Sequence, residues 1–187
     1  SNRCQMLAAN IDQVLCVQSF QDPPLNTRAL DRFLLLAESA PVAASVVVNK
    51  LDLRGESDRP ALAHYPTIGI PVLETSARTG RGVEELREVL SRKVSVLVGP
   101  SGVGKSSLLN ALYPRLNLRT GSISRATSRG VHTTVRVEWI DLPCGGVVLD
   151  TPGLRAITPW GIDRSNLASA FPEFRRLEGS CRFPDCN

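Results

Sequence analysis

One stretch constrains this chain more than any other: residues 99–106, GPSGVGKS. It fits the phosphate-loop pattern G-x-x-x-x-G-K-[ST] without a mismatch. The pattern carries its chemistry only between a strand and a helix. The β-branched run 94–98 precedes it and the helical pattern SSLLNAL, 106–112, overlaps its end. A strand–loop–helix unit is therefore expected, in an α/β sheet with helices on both faces. Gly99, Gly102 and Gly104 let the backbone bend and approach an anion closely. The N–H groups of Ser101, Gly102, Val103, Gly104, Lys105, Ser106 and Ser107 then face phosphate oxygens at a helix N-terminus. Lys105 can reach β- and γ-phosphates, and the Ser106 hydroxyl can ligate Mg²⁺. The alternative is a chance glycine-rich turn, and the flanking context argues against it.

The remaining composition sets limits. With 187 residues the chain can bury one substantial core. At 42% hydrophobic and 21% charged residues it is ordinary globular material, and the net charge of +4 fits an acidic partner such as nucleic acid. No apolar run approaches the ~20 residues of a membrane span, and no secretory signal pattern opens the chain. The five cysteines are an odd, scattered set apart from Cys181 and Cys186, which points to a reducing compartment such as the cytoplasm or an organelle interior.

Residues 11–20, IDQVLCVQSF, read as a first buried strand, broken by Asp22-Pro23-Pro24. Asn26 is placed to cap a helix over 27–39, whose Leu30, Phe33, Leu34 and Ala37 share one face. Residues 43–48 form a short apolar run, as a central parallel strand does. Next in the chain are a polar loop and short helix over 54–64, a strand over 71–74 and a helix with stripe Val83, Leu86, Val89 and Leu90. After the phosphate-loop unit, residues 115–132 are polar and aperiodic, and so long a loop is more often functional than decorative. Residues 134–140 and 147–149 predict an antiparallel hairpin. From Arg164, Leu167, Phe171, Phe174 and Leu177 are helically spaced.

Three short motifs stand at predicted strand ends, where open α/β sheets bind ligands: NKLD (49–52), TSA (75–77) and DTPG (150–153). Each alone recurs in solvated turns. With the phosphate loop they describe one site. Asp52 can accept from guanine N1–H and the 2-amino group, where adenine offers no donor, and a polar site of this kind discriminates strongly. Asn49 can orient its loop and meet the base, the Lys50 stem can pack on the base plane, Ser76 flanks the pocket, and the Ala77 N–H can meet guanine O6. Asp150 fits the acidic residue that holds Mg²⁺, usually through water, and the Gly153 N–H can reach a γ-phosphate.

These residues resemble the motifs of translation-factor-related GTPases, but NKLD and TSA precede the phosphate loop instead of coming after it. The chain thus resembles a circularly permuted GTPase, a cheap rearrangement because domain termini lie at the surface. AANIDQVL, PPLN, LDRFL, VNKLDL, TSARTGRGVEEL, SVLVGPSGVGKSSLLNAL, HTT, DTPGLR and the pair Cys181 and Cys186 resemble, nearly end to end, the ribosome small subunit-dependent GTPase A family. That resemblance implies GTP/GDP and Mg²⁺ as ligands and GTP hydrolysis in maturation of the small ribosomal subunit. It also implies contact with that subunit's rRNA, a monomer, a cytoplasmic location and no membrane partner. It divides the chain into a permuted GTPase domain, 1–163, and the start of a helical, zinc-binding domain, 164–187. The family's oligonucleotide-binding barrel would lie before Ser1. Its zinc site would continue past Asn187, and its segment between NKLD and TSA is longer than the one here.

Many GTPases carry a Gln after the DxxG glycine to orient water; this chain carries Leu154. The resemblance makes His132 the candidate for that role, with Arg125, Arg129 and Arg155 as alternative charge stabilisers. Thr133 or Thr134 is expected to ligate Mg²⁺ in the GTP state. Cys181 and Cys186 cannot fill a tetrahedral zinc site alone; by themselves they read as free thiols, and the resemblance makes them half of a Zn²⁺ site. Two other classes compete with a ribosome-linked GTPase. One is a GTP-loaded scaffold with negligible turnover, which Leu154 favours. The other is another P-loop NTPase, against which Asp52 argues.

Overall fold

A computed structural model describes residues 10–40, 42–55, 59–118, 138–150 and 171–175. Strand β1, Gln13–Ser19, is followed by helix α1, Thr27–Ser39, with the bounds its pattern predicts. The Asn26 side chain accepts from the Ala29 N–H at 3.0 Å, satisfying one of the helix's orphan donors. Leu30, Phe33, Leu34 and Ala37 are all buried. Strand β2, Ala43–Asn49, leads through a 3-10 turn, Leu51–Leu53, to the four-residue helices α2, Arg59–Leu62, and α3, His64–Thr67. Strand β3, Val72–Glu74, helix α4, Val83–Leu90, strand β4, Val94–Val98, and helix α5, Lys105–Leu112, come next. The hairpin is β5, Glu138–Asp141, and β6, Val147–Asp150, antiparallel as expected. Residues 134–137 of that expected strand lie outside the described residues. Of the helical tail, α6, Pro172–Arg175, is described, and Arg175 forms an ion pair with Glu38 of α1.

The described strands form one sheet in the order β3-β2-β1-β4-β6-β5. All neighbours are parallel except β6 with β5. Cys16 of β1 lies opposite Val46 on one side and Val98 on the other, so the sheet's centre is buried on both faces. Period-two alternation sends Leu15 and Val17 to the face covered by α4 and α5, with Leu86, Leu90, Leu108 and Leu109. Cys16 and Phe20 go to the other face, under α1 and α3, with Leu30, Phe33 and Tyr65. Burial pushes the Cys16 thiol up to about 12, so it stays a neutral core residue.

The chain moves outward from β1 toward β3, returns through α4 to β4 beside β1, and moves outward to the opposite edge. The order therefore reverses between β1 and β4. In an open α/β sheet the crevice at such a switch point, at the strands' C-terminal ends, is where ligands bind.

Candidate functional site

The phosphate loop leaves β4 at that crevice. Gly99 has φ +150°, and a Cβ there would lie 2.1 Å from the Val17 carbonyl oxygen of β1. Gly104, at φ +93°, leaves no room either: a Cβ would sit 2.3 Å from Asn49 Nδ2. The two glycines thus let the loop press against β1 and β2 while turning into α5. Val103 is buried and anchors the loop from below, whereas Ser101 and Gly102 are exposed at its tip. Lys105 Nζ donates to the carbonyls of Gly99 at 2.8 Å and Pro100 at 3.1 Å, so the ammonium is held across the mouth of the loop. Ser106 and Ser107 lie partly buried in the first turn of α5, where N–H groups lack intrahelical partners.

The NKLD and TSA motifs come together from β2 and β3. Thr75 N–H donates to the Val48 carbonyl at 2.8 Å and Leu51 N–H to the Thr75 carbonyl at 2.9 Å. Asn49, only 2% exposed, joins all three loops: Nδ2 donates to the Val103 carbonyl at 2.9 Å and Oδ1 accepts from the Ala77 N–H at 3.1 Å. Asn49 thus orients the loops, as its motif leads one to expect, and it also lines the cleft. The Ala77 N–H, expected to meet guanine O6, donates here to Asn49 Oδ1. A buried amide between two loops with unpaired backbone groups satisfies both at once, which is why it is drawn inward.

Lys50 takes the left-handed conformation, φ +61°, turning the chain out of β2, and its Nζ donates to the Asp22 carbonyl. Asp52 is the acidic residue of a cleft that Lys50 and Arg78 also line. Its Oδ1 accepts from Ser76 Oγ at 2.5 Å, and its Oδ2 pairs with Arg78 Nε at 2.7 Å. The Ser76 hydroxyl first, with its own backbone N–H and the Arg78 charge, holds the carboxyl below the usual carboxylate range, against desolvation. Asp52 is therefore an ionised acceptor at neutral pH. Asn49, Lys50, Asp52, Ala77, Arg78, Gly102, Gly104 and Ser107 line one cleft of about 650 Å³ between the base-side loops and the phosphate loop, a size that suits a small ligand.

Asp150 ends β6 and is in register with Leu97 of β4, which places its backbone beside the strand that feeds the phosphate loop. His132, Thr133, Thr134, Gly153, Cys181 and Cys186 lie outside the described residues. Among the described residues no cluster of three or more His, Cys, Asp or Glu side chains is disposed to hold a metal. Three features escaped sequence reading. Arg78 carries no motif signal of its own, and only proximity reveals its pairing with Asp52. Asp22 and Pro23 read as a strand breaker, yet Asp22 receives Lys50 and Pro23 Cδ would lie 3.5 Å from a Cβ on Gly102. Asn110 lines the cleft and clasps Leu118 by two hydrogen bonds, of 2.7 and 2.8 Å.

Fold and site define a phosphate-loop α/β protein in circularly permuted order. A family model described as RsgA GTPase matches residues 1–160, and the chain belongs to that family. It is 49% identical over 183 residues to the small ribosomal subunit biogenesis GTPase RsgA of Gemmatimonas aurantiaca, covering 97% of this chain and 60% of that protein. It is 44% identical over 178 residues to the protein of the same name from Moorella thermoacetica, covering 95% and 61%. Among solved structures it is similar to YjeQ from Thermotoga maritima, with a TM-score of 0.69 at 35% identity, covering 95% of this chain and 59% of that one. It is also similar to YloQ, described as a circularly permuted GTPase, with a TM-score of 0.70 at 34% identity, covering 95% and 56%. The chain thus spans about 60% of the length of these curated relatives.

Proposed function

We propose that this chain binds GTP and GDP in the cleft between Asp52 and the phosphate loop, hydrolyses GTP to GDP and phosphate, and serves small ribosomal subunit biogenesis. The observation that carries the reading is Asn49, whose two hydrogen bonds lock the base-side loops to the phosphate loop around one cleft. The names of the relatives support the ribosomal role, and the net charge of +4 agrees with contact with rRNA of the subunit. In this reading Asp52 recognises guanine and Lys50 flanks the base. Backbone N–H groups of residues 101–107 hold the phosphates, and Lys105 turns from its two carbonyls to the β/γ-phosphates. Ser106 and Thr133 or Thr134 would ligate Mg²⁺ and Asp150 would hold it, usually through water; oxygen donors suit such a hard cation. Mg²⁺, when bound, neutralises charge on the transferred phosphoryl group. Gly153 N–H meets the γ-phosphate and His132 orients the attacking water.

Cys181 and Cys186 are proposed as half of a Zn²⁺ site, the protein as a cytoplasmic monomer, and residues 164–187 as the start of a second domain. No helix among the described residues is long and apolar enough to cross a membrane. Leu154 favours a second reading, a GTP-loaded scaffold that scarcely turns over. Single-turnover GTP hydrolysis, with and without purified small ribosomal subunits, separates the two. Hydrolysis stimulated by subunits and abolished in Lys105→Ala supports the enzyme. Tight GTP binding with no hydrolysis under either condition supports the scaffold. Equal affinity for ATP and GTP removes both.

A further inference from the structure

The carboxylate of Asp52 is engaged at both oxygens before any ligand arrives. Ser76 Oγ donates to Oδ1 at 2.5 Å, and Arg78 Nε meets Oδ2 at 2.7 Å. The Asp52 side chain is 11% exposed, and that of Arg78 is 74% exposed on the rim of the cleft. The backbone that carries Arg78 is fastened on both sides. Ser76 N–H donates to the Arg81 carbonyl at 2.8 Å, Gly80 N–H to the Ser76 carbonyl at 2.9 Å, and Thr79 N–H to Ser76 Oγ at 3.2 Å. This tight turn fixes the Arg78 backbone, from which its side chain reaches Asp52.

An ionised carboxylate offers about four lone-pair directions, two on each oxygen. The two side chains take one on each. Counting side-chain partners, each oxygen keeps one acceptor direction, and guanine presents two parallel donors, N1–H and the 2-amino group. Arg78 binds through Nε to a single oxygen, so it does not cover both oxygens as a forked guanidinium pair would. The Ser76 hydroxyl above all, with the Arg78 charge adding to it, keeps the carboxylate from taking a proton, which would turn an acceptor into a donor facing guanine N1–H.

We propose that Arg78 is a specificity-determining residue of the nucleobase pocket, fixing the plane and charge of the Asp52 carboxylate so that its remaining acceptor directions match the two guanine donors. The inference rests on the guanine-nucleotide reading and deepens it. A displaced plug, an arginine that blocks Asp52 and must leave, is the opposite account and predicts the opposite sign.

The test is equilibrium binding of GDP, IDP and ADP to the full chain and to Arg78→Ala. IDP lacks the 2-amino group and so reports the second hydrogen bond alone. Loss of a charge-assisted contact that orients the carboxylate should cut the GDP-over-IDP preference about three- to tenfold. The acidic limb of the GDP binding profile should move to higher pH, because removing a neighbouring cation makes Asp52 easier to protonate. A purely structural role for so exposed a side chain would move neither. An unchanged GDP/IDP ratio, or tighter GDP binding in Arg78→Ala, overturns the proposal and leaves the guanine reading standing if the parent chain still prefers GDP to ADP. A parent chain that does not prefer GDP to ADP overturns both.

Discussion

At the scale of residues the cleft is built from few side chains with unequal tasks. Asp52→Asn replaces one acceptor oxygen by a donor, so guanine N1–H or its 2-amino group would face an N–H. Guanine nucleotides should lose at least about a hundredfold in affinity, and xanthine nucleotides, whose C2 oxygen accepts, should gain; competition binding with GDP and XDP checks this. Because the folded-state carboxyl is held low, its favourable interactions are complete above the ordinary carboxylate range and fade only as pH falls through the lowered value. Parent GDP affinity should therefore be insensitive to this group from neutral to mildly acidic pH. Gly104→Ala puts a Cβ 2.3 Å from Asn49 Nδ2 at φ +93°. The Asn49 bond to Val103 must break or the loop must move, and GDP affinity should fall on the order of tenfold or more, read by calorimetric titration. Asp52 and Gly104 were legible from their motifs. The loop-orienting role of Asn49 was legible too, whereas its partner, the Val103 carbonyl, and the pairing of Arg78 with Asp52 were not, because both depend on contacts between segments distant in the chain.

At the scale of elements, local pattern and tertiary demand mostly agree. Helix α1 begins and ends where capping and stripe predict, and β2, β3 and β4 match their apolar runs to within a residue or two. The segment 59–67 was only partly legible. Pro60 and Pro66 interrupt any long helical pattern, and the chain makes two four-residue helices, with buried Leu62 and Tyr65 packed beneath α1. Tyr65 OH donates to Asp31 of α1 at 2.8 Å, a contact no period announces. Asn26→Ala removes the α1 cap and should cost about 1 kcal/mol of stability, measured by urea denaturation. GDP affinity should be unchanged, since α1 does not line the cleft.

At the scale of the whole molecule, permutation changes which element each ligand-sensing loop pulls. DTPG begins at Asp150, the last residue of β6, and the sequence after it runs directly into residues 164–187. A γ-phosphate that engages Gly153 would act on that downstream segment without the rest of the sheet intervening. Nucleotide state should therefore change hydrogen exchange in residues 167–177 and affinity for the small ribosomal subunit together, with a coupling of about 1–3 kcal/mol. Identical exchange with GDP and a non-hydrolysable GTP analogue, alongside equal subunit affinity, would rule the coupling out.

The phosphate loop, the permuted order of the motifs, most strand and helix spans and the family likeness were all readable along the chain. These properties are local: spacing, period and capping act over a few residues, and motif order needs no third dimension. Folding in space was required to put β1 beside β4 and so to open the crevice where it lies. It was also required for Asn49 to meet Val103 across 54 residues, for Lys50 to meet Asp22 across 28, and for Arg78 to close on Asp52. Such pairings depend on sheet register and on which buried polar groups remain unsatisfied once the core has closed, and no window of sequence contains either.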